Sequence, residues 1–199
     1  MFTENELKPF DEQNMPLLVD RVLHLWKVDG KDEKFNRLYV EMIIRTNLHE
    51  NQMQLELRGN DEKCPIKAIC FGAKKGDPRN DEWYENLLKS LSASDREIFE
   101  NGRRYLLGMD EKTFSLMSED DVKLCLFISL EKGSGTEILS FAEAEFKMRG
   151  FKNLYLWTDC ECNVDWYFKN GFELVLEEEF KPFSLPEKPY VTYIFRKAI

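Results

Sequence analysis

The chain has 199 residues, of which 43% are hydrophobic, so it is long enough to bury a substantial core in one elaborated domain. Acidic residues outnumber basic ones by 37 to 28, for a net charge of -9, and no stretch concentrates enough Lys and Arg to follow a phosphate backbone, which argues against nucleic acid as a partner. Because no apolar run reaches membrane-spanning length and the first ten residues lack the pattern of a secretory signal, we expect a cytoplasmic protein with no membrane partner.

The first part of the chain combines helical and extended patterns. Apolar residues repeat at helical spacing before about residue 48 and alternate with polar residues after it. In chain order, these patterns predict a strand at Leu7–Phe10, a helix from Asn14 to near Gly30, a helix from Asp32 to about Leu48, and a hairpin of strands Gln52–Arg58 and Ile66–Ala73 joined by a turn at Gly59, Asn60 and Asp61.

The stretch between Lys74 and Glu119 has a helical pattern. One apolar stripe is formed by Trp83, Leu87, Leu88 and Leu91. A capping box at Ser94–Glu97 predicts the start of another helix. We therefore predict a single domain over residues 1–199 with a helical insertion at about 75–118.

The second half of the chain begins with a nearly continuous apolar run, Val122–Ser129, which predicts a strand covered on both faces. A glycine loop follows directly, and Thr136–Arg149 has the pattern of a helix that ends at Gly150. The remaining elements are a strand at Asn153–Thr158, a short helix at Asn163–Asn170, a strand from Phe172 to Leu176, a proline-containing connection at Lys181–Pro189 and a last strand at Tyr190–Arg196.

Two constellations could carry chemistry. The loop containing Gly133 and Gly135 joins a buried strand to a helix, so its free amides and the helix dipole would suit a pyrophosphate; a tight turn with a purely structural role is the alternative. Further on, Asn163 and Tyr167 are four residues apart and would share one helical face toward a ligand. Taken alone, Asn163 is more often a helix cap and Tyr167 more often an aromatic ring packed on the sheet.

These two constellations, separated by a helix and a strand, resemble the GNAT superfamily of N-acetyltransferases. The resemblance covers most of the chain, and its most specific parts are Gly133 to Gly135 and the run from Cys162-Asn163 through Tyr167 to Gly171-Phe172. It implies a mixed α/β fold: a mostly antiparallel central sheet with a splayed parallel strand pair, flanked by helices.

The resemblance also implies a co-substrate, acetyl-coenzyme A, and roles for named residues. Tyr167 would protonate the leaving thiolate as the catalytic acid, and Asn163 would bind pantetheine. The residues expected to contact the rest of the co-substrate are Lys132, Gly133, Ser134, Gly135 and Thr136 at the pyrophosphate, and Phe127, Ile128 and Ser129 at the acetyl carbonyl.

One departure from the family pattern stands in the loop. Leu130 lies three residues before the first loop glycine, where many family members have Arg or Gln, and the loop is shorter. Binding of phosphate would therefore depend on backbone amides. A GNAT-like module that binds coenzyme A or a protein partner without catalysis is accordingly the alternative function.

The acceptor remains open between a small-molecule amine, a peptide N-terminus and a protein lysine. Whether the protein forms a homodimer is also open. The insertion at 75–118 and the segment at 180–189 could form the wall of an acceptor pocket. Glu56, Asp120 and Asp121 are candidates for the general base.

Five cysteines, an odd number, predict reduced thiols. Cys160 and Cys162 have no second Cys or His pair at ligand spacing, so no metal is expected. A cysteine nucleophile is disfavoured for a related reason, because nothing places His24 or His49 near either thiol.

Overall fold

The computed structural model describes residues 6–60 and 65–199. Asp61 of the predicted turn, Cys64 and the first five residues lie outside the described part of the chain. In that part, the strands are β1 (Glu6–Pro9), β2 (Gln54–Arg58), β3 (Ile66–Ala73), β4 (Asp121–Ser129), β5 (Asn153–Asp159), β6 (Glu173–Glu179) and β7 (Val191–Ala198). The helices are α1 (Met15–Trp26), α2 (Glu33–Thr46), α3 (Glu82–Ser90), α4 (Ala93–Ser115), α5 (Ser134–Met148) and α6 (Val164–Lys169).

The strands form a single sheet in the order β1-β2-β3-β4-β5-β7-β6. Every neighbouring pair is antiparallel except β4 and β5, which run parallel through the crossover helix α5. The predicted fold class, a mixed and mostly antiparallel sheet with one parallel pair and flanking helices, is confirmed.

Helices cover both faces of this sheet. Ile138, Leu139 and Phe146 of α5 pack with Val122 and Leu154 on one face. On the other face, apolar residues of α1 and α2 pack against β3 and the second half of β4. The apolar run of β4 is thereby covered on both sides, as its sequence predicted.

Helices α3 and α4 occupy the range predicted as a helical insertion; the interpretation of that range as an insertion in one domain stays a prediction. The capping box predicted at Ser94 is wrong, because the N-cap of α4 lies two residues earlier, at Ser92. Ser92 has extended backbone angles and its hydroxyl accepts a hydrogen bond from the amide of Asp95 at 3.1 Å.

Other boundaries also differ from the predicted ones: α1 ends at Trp26 rather than near Gly30, and β7 continues to Ala198 rather than ending at Arg196. Helix α5 begins at Ser134 rather than Thr136, since Gly133 adopts a left-handed φ of 90° that turns the chain directly into the helix. Strand β6 extends to Glu179 because its pairing with β7 continues to Val191.

None of the helices in the described ranges is long and apolar enough to cross a membrane. The cysteines in these ranges, Cys70, Cys125, Cys160 and Cys162, are free thiols.

Candidate active site

The parallel strands β4 and β5 separate within the sheet. Their register pairs Asp121 with Asn153 and ends where Lys123 meets Tyr155. Two residues further along β4 lies a β-bulge: Phe71 and Gly72 of β3 face Leu126 and Leu124, so Cys125 is the extra residue. Because a bulge bends its strand, it turns the end of β4 away from β5 and leaves backbone groups of β4 without a strand partner on that side.

A cleft of about 370 Å³ occupies this separation. Leu124, Phe127, Leu156 and Thr158 line it from the two strands. A larger depression of about 1130 Å³ lies elsewhere, between the first two strands and helices α2 and α3, and contains none of the predicted site residues. The cleft between β4 and β5 is therefore the candidate site.

Tyr167 lines the cleft on the face of the sheet that carries α5 and α6. Its ring stacks on Phe195 at a centroid distance of 5.5 Å and meets the edge of Phe172 at 5.8 Å. Burial raises the pKa of Tyr167 above its usual range, and the charges of Cys162 and Asp159 act in the same direction, while the nearby Thr158 hydroxyl partly offsets them. The phenol is thus fixed in orientation and remains protonated at neutral pH.

The glycine loop presents unused backbone donors at the start of α5. The amide of Ser134 donates to the carbonyl of Glu131 at 3.2 Å. In the described ranges, the amides of Lys132, Gly133, Gly135 and Thr136 have no intramolecular acceptor. Four free amides at the positive end of a 15-residue helix form a suitable anion cradle.

Side chains hold this loop in shape from within. The Ser134 hydroxyl lies 2.8 Å from the carbonyl oxygens of Lys67 and Glu131 and 3.0 Å from the hydroxyl of Ser129. Ser134 and Ser129 are therefore occupied in forming the loop. A Cβ at Gly135 would lie 3.2 Å from Cβ of Ser129, a tight approach that only glycine avoids.

Trp166 lies between the glycine loop and Tyr167, and sequence reasoning did not single it out. Its ring packs 5.3 Å from that of Phe127 and 5.4 Å from that of Tyr167. Its Cζ2 lies 3.7 Å from the position that a Cβ of Gly135 would take. A ligand that extends from the loop to Tyr167 would have to pass along this indole.

The other residues predicted to contact the co-substrate have different surroundings. Asn163 is exposed and makes no capping hydrogen bond with its side chain at the start of α6. Ile128 is buried against the α1 face and does not line the cleft, whereas Phe127 does. Lys132 and Thr136 are exposed at the outside of the loop.

None of the three carboxylates considered as a general base lines the cleft. Asp120 and Asp121 lie at the start of β4, the end at which the strands still pair, and they hydrogen-bond Lys152 and Asn153. Glu56 is buried on β2, where it accepts hydrogen bonds from Asn14 and Arg58; burial raises its pKa despite these partners.

The carboxylate that does line the cleft is Asp159, at the end of β5. It accepts hydrogen bonds from the hydroxyls of Tyr190 at 2.7 Å and Tyr105 at 3.4 Å, and from the amide of Glu161 at 3.0 Å. Burial and the nearby Asp159 charge raise the pKa of both tyrosines. In the sequence, the position of Asp159 directly after a predicted strand was the signal that could have identified it.

A buried ion pair and one hydrogen bond link β4 and β5 to α4 near the point where the strands separate. Lys123 Nζ lies 2.5 Å from Asp110 Oδ1, and the indole nitrogen of Trp157 donates to the same oxygen at 2.8 Å. Burial opposes the charge on Lys123, yet the Asp110 carboxylate holds its pKa above the usual range. These contacts join α4 to β4 and β5.

The described ranges contain no group of three or more His, Cys, Asp and Glu residues placed to hold a metal ion. Cys162 lines the cleft, but among the described residues neither histidine does.

Comparison with known proteins identifies the fold. The chain is similar to ribosomal-protein-S18-alanine N-acetyltransferase from Escherichia coli, with a TM-score of 0.56 and 12% identity over 98% of this chain and 94% of that chain. An acetyltransferase of the GNAT family from Streptococcus pneumoniae gives a TM-score of 0.52 and 13% identity over 98% and 99% of the two chains. The C-terminal condensation domain of Ebony in complex with beta-alanyl-dopamine gives 0.58 and 9% identity over 100% of both chains. No protein-family model and no curated protein sequence matches the chain.

The chain therefore has the fold of the GNAT N-acetyltransferases. The resemblance inferred from Gly133 to Gly135 and from the run ending at Gly171-Phe172 is confirmed at the level of the fold.

Proposed function

We propose that the protein is an N-acetyltransferase that moves the acetyl group of acetyl-coenzyme A to a primary amine. The observation that carries this proposal is the cleft between β4 and β5, which brings Tyr167 and Asp159 to one opening in the sheet. The names of the Escherichia coli and Streptococcus pneumoniae proteins, both acetyltransferases on this fold, support it.

The loop before α5 fits a pyrophosphate through its backbone. With Leu130 in place of a polar residue, the amides of Lys132, Gly133, Gly135 and Thr136 would be the donors. The Ser134 hydroxyl would keep the cradle in shape, and the exposed Lys132 ammonium adds positive charge.

The two sides of the cleft suit two reactants. Leu154, Leu156 and Tyr167 belong to the α5 face, where the phosphate cradle lies, so that face would receive the co-substrate. Tyr155 and Trp157 belong to the α4 face, where the amine would enter. Alternation of side chains along β5 thus separates the two approaches.

The chemistry needs few protein groups. Acetyl-coenzyme A would supply a thioester, whose C–S bond breaks as the neutral amine nitrogen bonds to the carbonyl carbon. The nitrogen gives up one proton and the sulfur gains one, so that the products are an amide and a free thiol. Open backbone amides of β4 near Phe127 would polarise that carbonyl. Tyr167 would donate a hydrogen bond to the sulfur. Its pKa is raised well above the reference value of about 8.5 for a cysteine thiol, which disfavours full transfer of the proton. Its main contribution would therefore be to stabilise the negative charge that develops on the sulfur.

A second function has specific support: a GNAT-like module that binds coenzyme A or a protein without catalysis. Trp166 packs against both Phe127 and Gly135, so its ring fills part of the path between loop and cleft. The Ebony domain has this fold but is named as a condensation domain, so the name acetyltransferase does not apply to every protein with this fold.

A thermal-shift titration with acetyl-coenzyme A, with adenosine as the control, tests the proposal first. A ligand at a hundred times its dissociation constant should stabilise the fold by about 2.7 kcal/mol. A shift with acetyl-coenzyme A alone, followed by amine-dependent release of free thiol, is the expected result. A shift without turnover over a broad amine panel would favour the non-catalytic module, and no shift at millimolar ligand would refute the use of this co-substrate.

A further inference from the structure

The inference concerns the acceptor and rests on the proposed function for the transfer step. Asp159 is half-buried in the cleft wall, and no Lys, Arg or His in the described ranges forms an ion pair with it. Its hydrogen bonds come from neutral groups: the hydroxyls of Tyr105 and Tyr190, the amide of Glu161 and the thiol of Cys162. These donors orient the carboxylate but leave its charge without a partner.

Aromatic rings cluster around Tyr105, which hydrogen-bonds this carboxylate, and all of them but Phe180 line the cleft. Tyr105 lies at centroid distances of 5.5 Å from Trp157, 4.7 Å from Phe180, 4.9 Å from Phe183 and 6.2 Å from Tyr190. We call these five residues the aromatic wall. They come from α4, β5 and the connection between β6 and β7; Tyr105, Phe180 and Phe183 lie in the two segments that the sequence suggested for an acceptor pocket, whereas Trp157 and Tyr190 lie outside them. Ring faces attract cations, so the wall and Asp159 favour the same kind of ligand.

The charges of the cleft limit how many ammonium groups a ligand can carry. Apart from Asp159, the charged residue that lines the cleft within the described ranges is Lys27, which is exposed. A second ammonium group would therefore meet Lys27 or apolar residues such as Ile43 and Leu106. Burying an unpaired charge among apolar groups is costly, which disfavours diamines.

The size and lining of the cleft indicate the rest of the ligand. A volume of about 370 Å³ lies at the small end of ligand pockets, and it must also admit the acetyl group. Because most of the lining is apolar or aromatic, it suits a short hydrophobic group better than a polar chain.

We propose that the acceptor is a small hydrophobic primary monoamine, whose ammonium group binds Asp159 and whose aryl or alkyl group packs against the aromatic wall. A peptide N-terminus carries a polar peptide group beside the amine, and a protein lysine brings polar backbone at the far end of its four-carbon stem; a small, mostly apolar cleft accommodates neither well.

Calorimetric titration of the full chain with 2-phenylethylamine, alone and with saturating coenzyme A, tests the proposal without requiring turnover. The uncharged 2-phenylethanol and the dication of 1,4-diaminobutane are the comparison ligands. We expect 2-phenylethylamine to bind at least about tenfold more tightly than either, as the loss of a charged hydrogen bond would cause. Equal affinities, tighter binding of 1,4-diaminobutane, or no binding in both conditions would overturn the proposal.

Asp159→Asn provides the protein-side test, because the amide oxygen can still accept from Tyr190 while the charge is removed. Asp20→Asn makes the same change at an exposed carboxylate of α1 that pairs with Arg37 outside the cleft. We expect Asp159→Asn to weaken 2-phenylethylamine binding about tenfold or more and Asp20→Asn to leave it unchanged. Equal affinity of both variants would overturn the assignment, and the ligand comparison decides if Asp159→Asn does not fold.

The outcomes separate this inference from the proposed function. If the protein binds 2-phenylethylamine selectively but acetyl-coenzyme A causes neither a thermal shift nor turnover, the proposed transferase function is refuted and the amine site is supported. If kcat/KM is higher for a lysine-containing peptide than for 2-phenylethylamine, the transferase function is supported and the proposed class of amine is refuted.

Discussion

Lys123 and Tyr155 form the last pair at which β4 and β5 run side by side. The Lys123 side chain is fully buried and paired with Asp110, and Trp157 of β5 donates to the same carboxylate, so both strands are fixed to α4 close to the point where they begin to separate. Beyond it, Thr158 faces Tyr167 and Asp159 faces the tyrosines of the aromatic wall. The cleft consequently has two chemically different sides, which is what a transfer between two separately bound reactants requires.

Tyr167→Phe should lower kcat by roughly a hundredfold and leave the affinity for acetyl-coenzyme A unchanged, because it removes only the hydroxyl that addresses the leaving sulfur. Steady-state kinetics with a good acceptor and calorimetry with the co-substrate measure both effects. Tyr193→Phe is the matched control, since Tyr193 stacks on the same Phe195 ring at 6.3 Å but does not line the cleft. Unchanged kcat in Tyr167→Phe would remove the residue from this role.

Gly135→Val should weaken acetyl-coenzyme A binding at least about tenfold, because the branched side chain would crowd Ser129 and Trp166 and cover the free amides of the cradle. Gly108→Val is the control: Gly108 is also helical, and a Cβ there would meet nothing within 4 Å. The dissociation constants of the two variants are compared by calorimetry. If both match that of the unmodified protein, phosphate does not bind at this loop.

Much of the fold could be predicted because its signals are local. The apolar run of β4, the glycine loop and the helical stripe of α5 are each contained in one short stretch of sequence. The shift of the α4 cap from Ser94 to Ser92 shows the limit of such signals: both serines offer a hydroxyl, and the extended backbone at Ser92 decides between them.

The site was harder to predict because its decisive contacts are distant in sequence. Asp159 meets Tyr105 and Tyr190 across 54 and 31 residues. The bulge at Cys125 depends on the register with β3, which no residue of β4 reveals alone. Sequence reasoning considered Asp120 and Asp121 because they precede β4, whereas the strands separate at the opposite end.

Asp110→Asn should destabilise the fold by about 3–5 kcal/mol, because it leaves the Lys123 ammonium buried without a counter-charge. Chemical denaturation at neutral pH measures the loss. The double variant Asp110→Asn, Lys123→Met should recover part of it, since an apolar side chain of similar length replaces the isolated charge. Asp20→Asn, which breaks an exposed pair with Arg37, should cost no more than about 1 kcal/mol. If Asp110→Asn lowers the free energy of unfolding by no more than Asp20→Asn does, the buried pair contributes no more to stability than an exposed one.

His49 should make the protein less stable in mild acid. It lies in the loop after α2, and its side chain is buried. Burial, together with the charges of Arg79 and Lys123, lowers its pKa to about 4. Since the reference pKa of histidine is about 6.5, the unfolded chain binds more protons than the folded one between pH 6.5 and pH 4, so stability falls as the pH is lowered through this range.

The expected contribution of His49 is roughly 2–3 kcal/mol between pH 7 and pH 4. His49→Gln should therefore show a smaller loss of unfolding free energy over this interval than the unmodified protein, as measured by urea denaturation at each pH. His24→Gln is the matched control, because it makes the same substitution at an exposed position of α1. Parallel stability curves for the unmodified protein and His49→Gln would assign the acid sensitivity to other groups. A curve flattened only in His49→Gln would show that the loop after α2 must keep this imidazole neutral to remain folded.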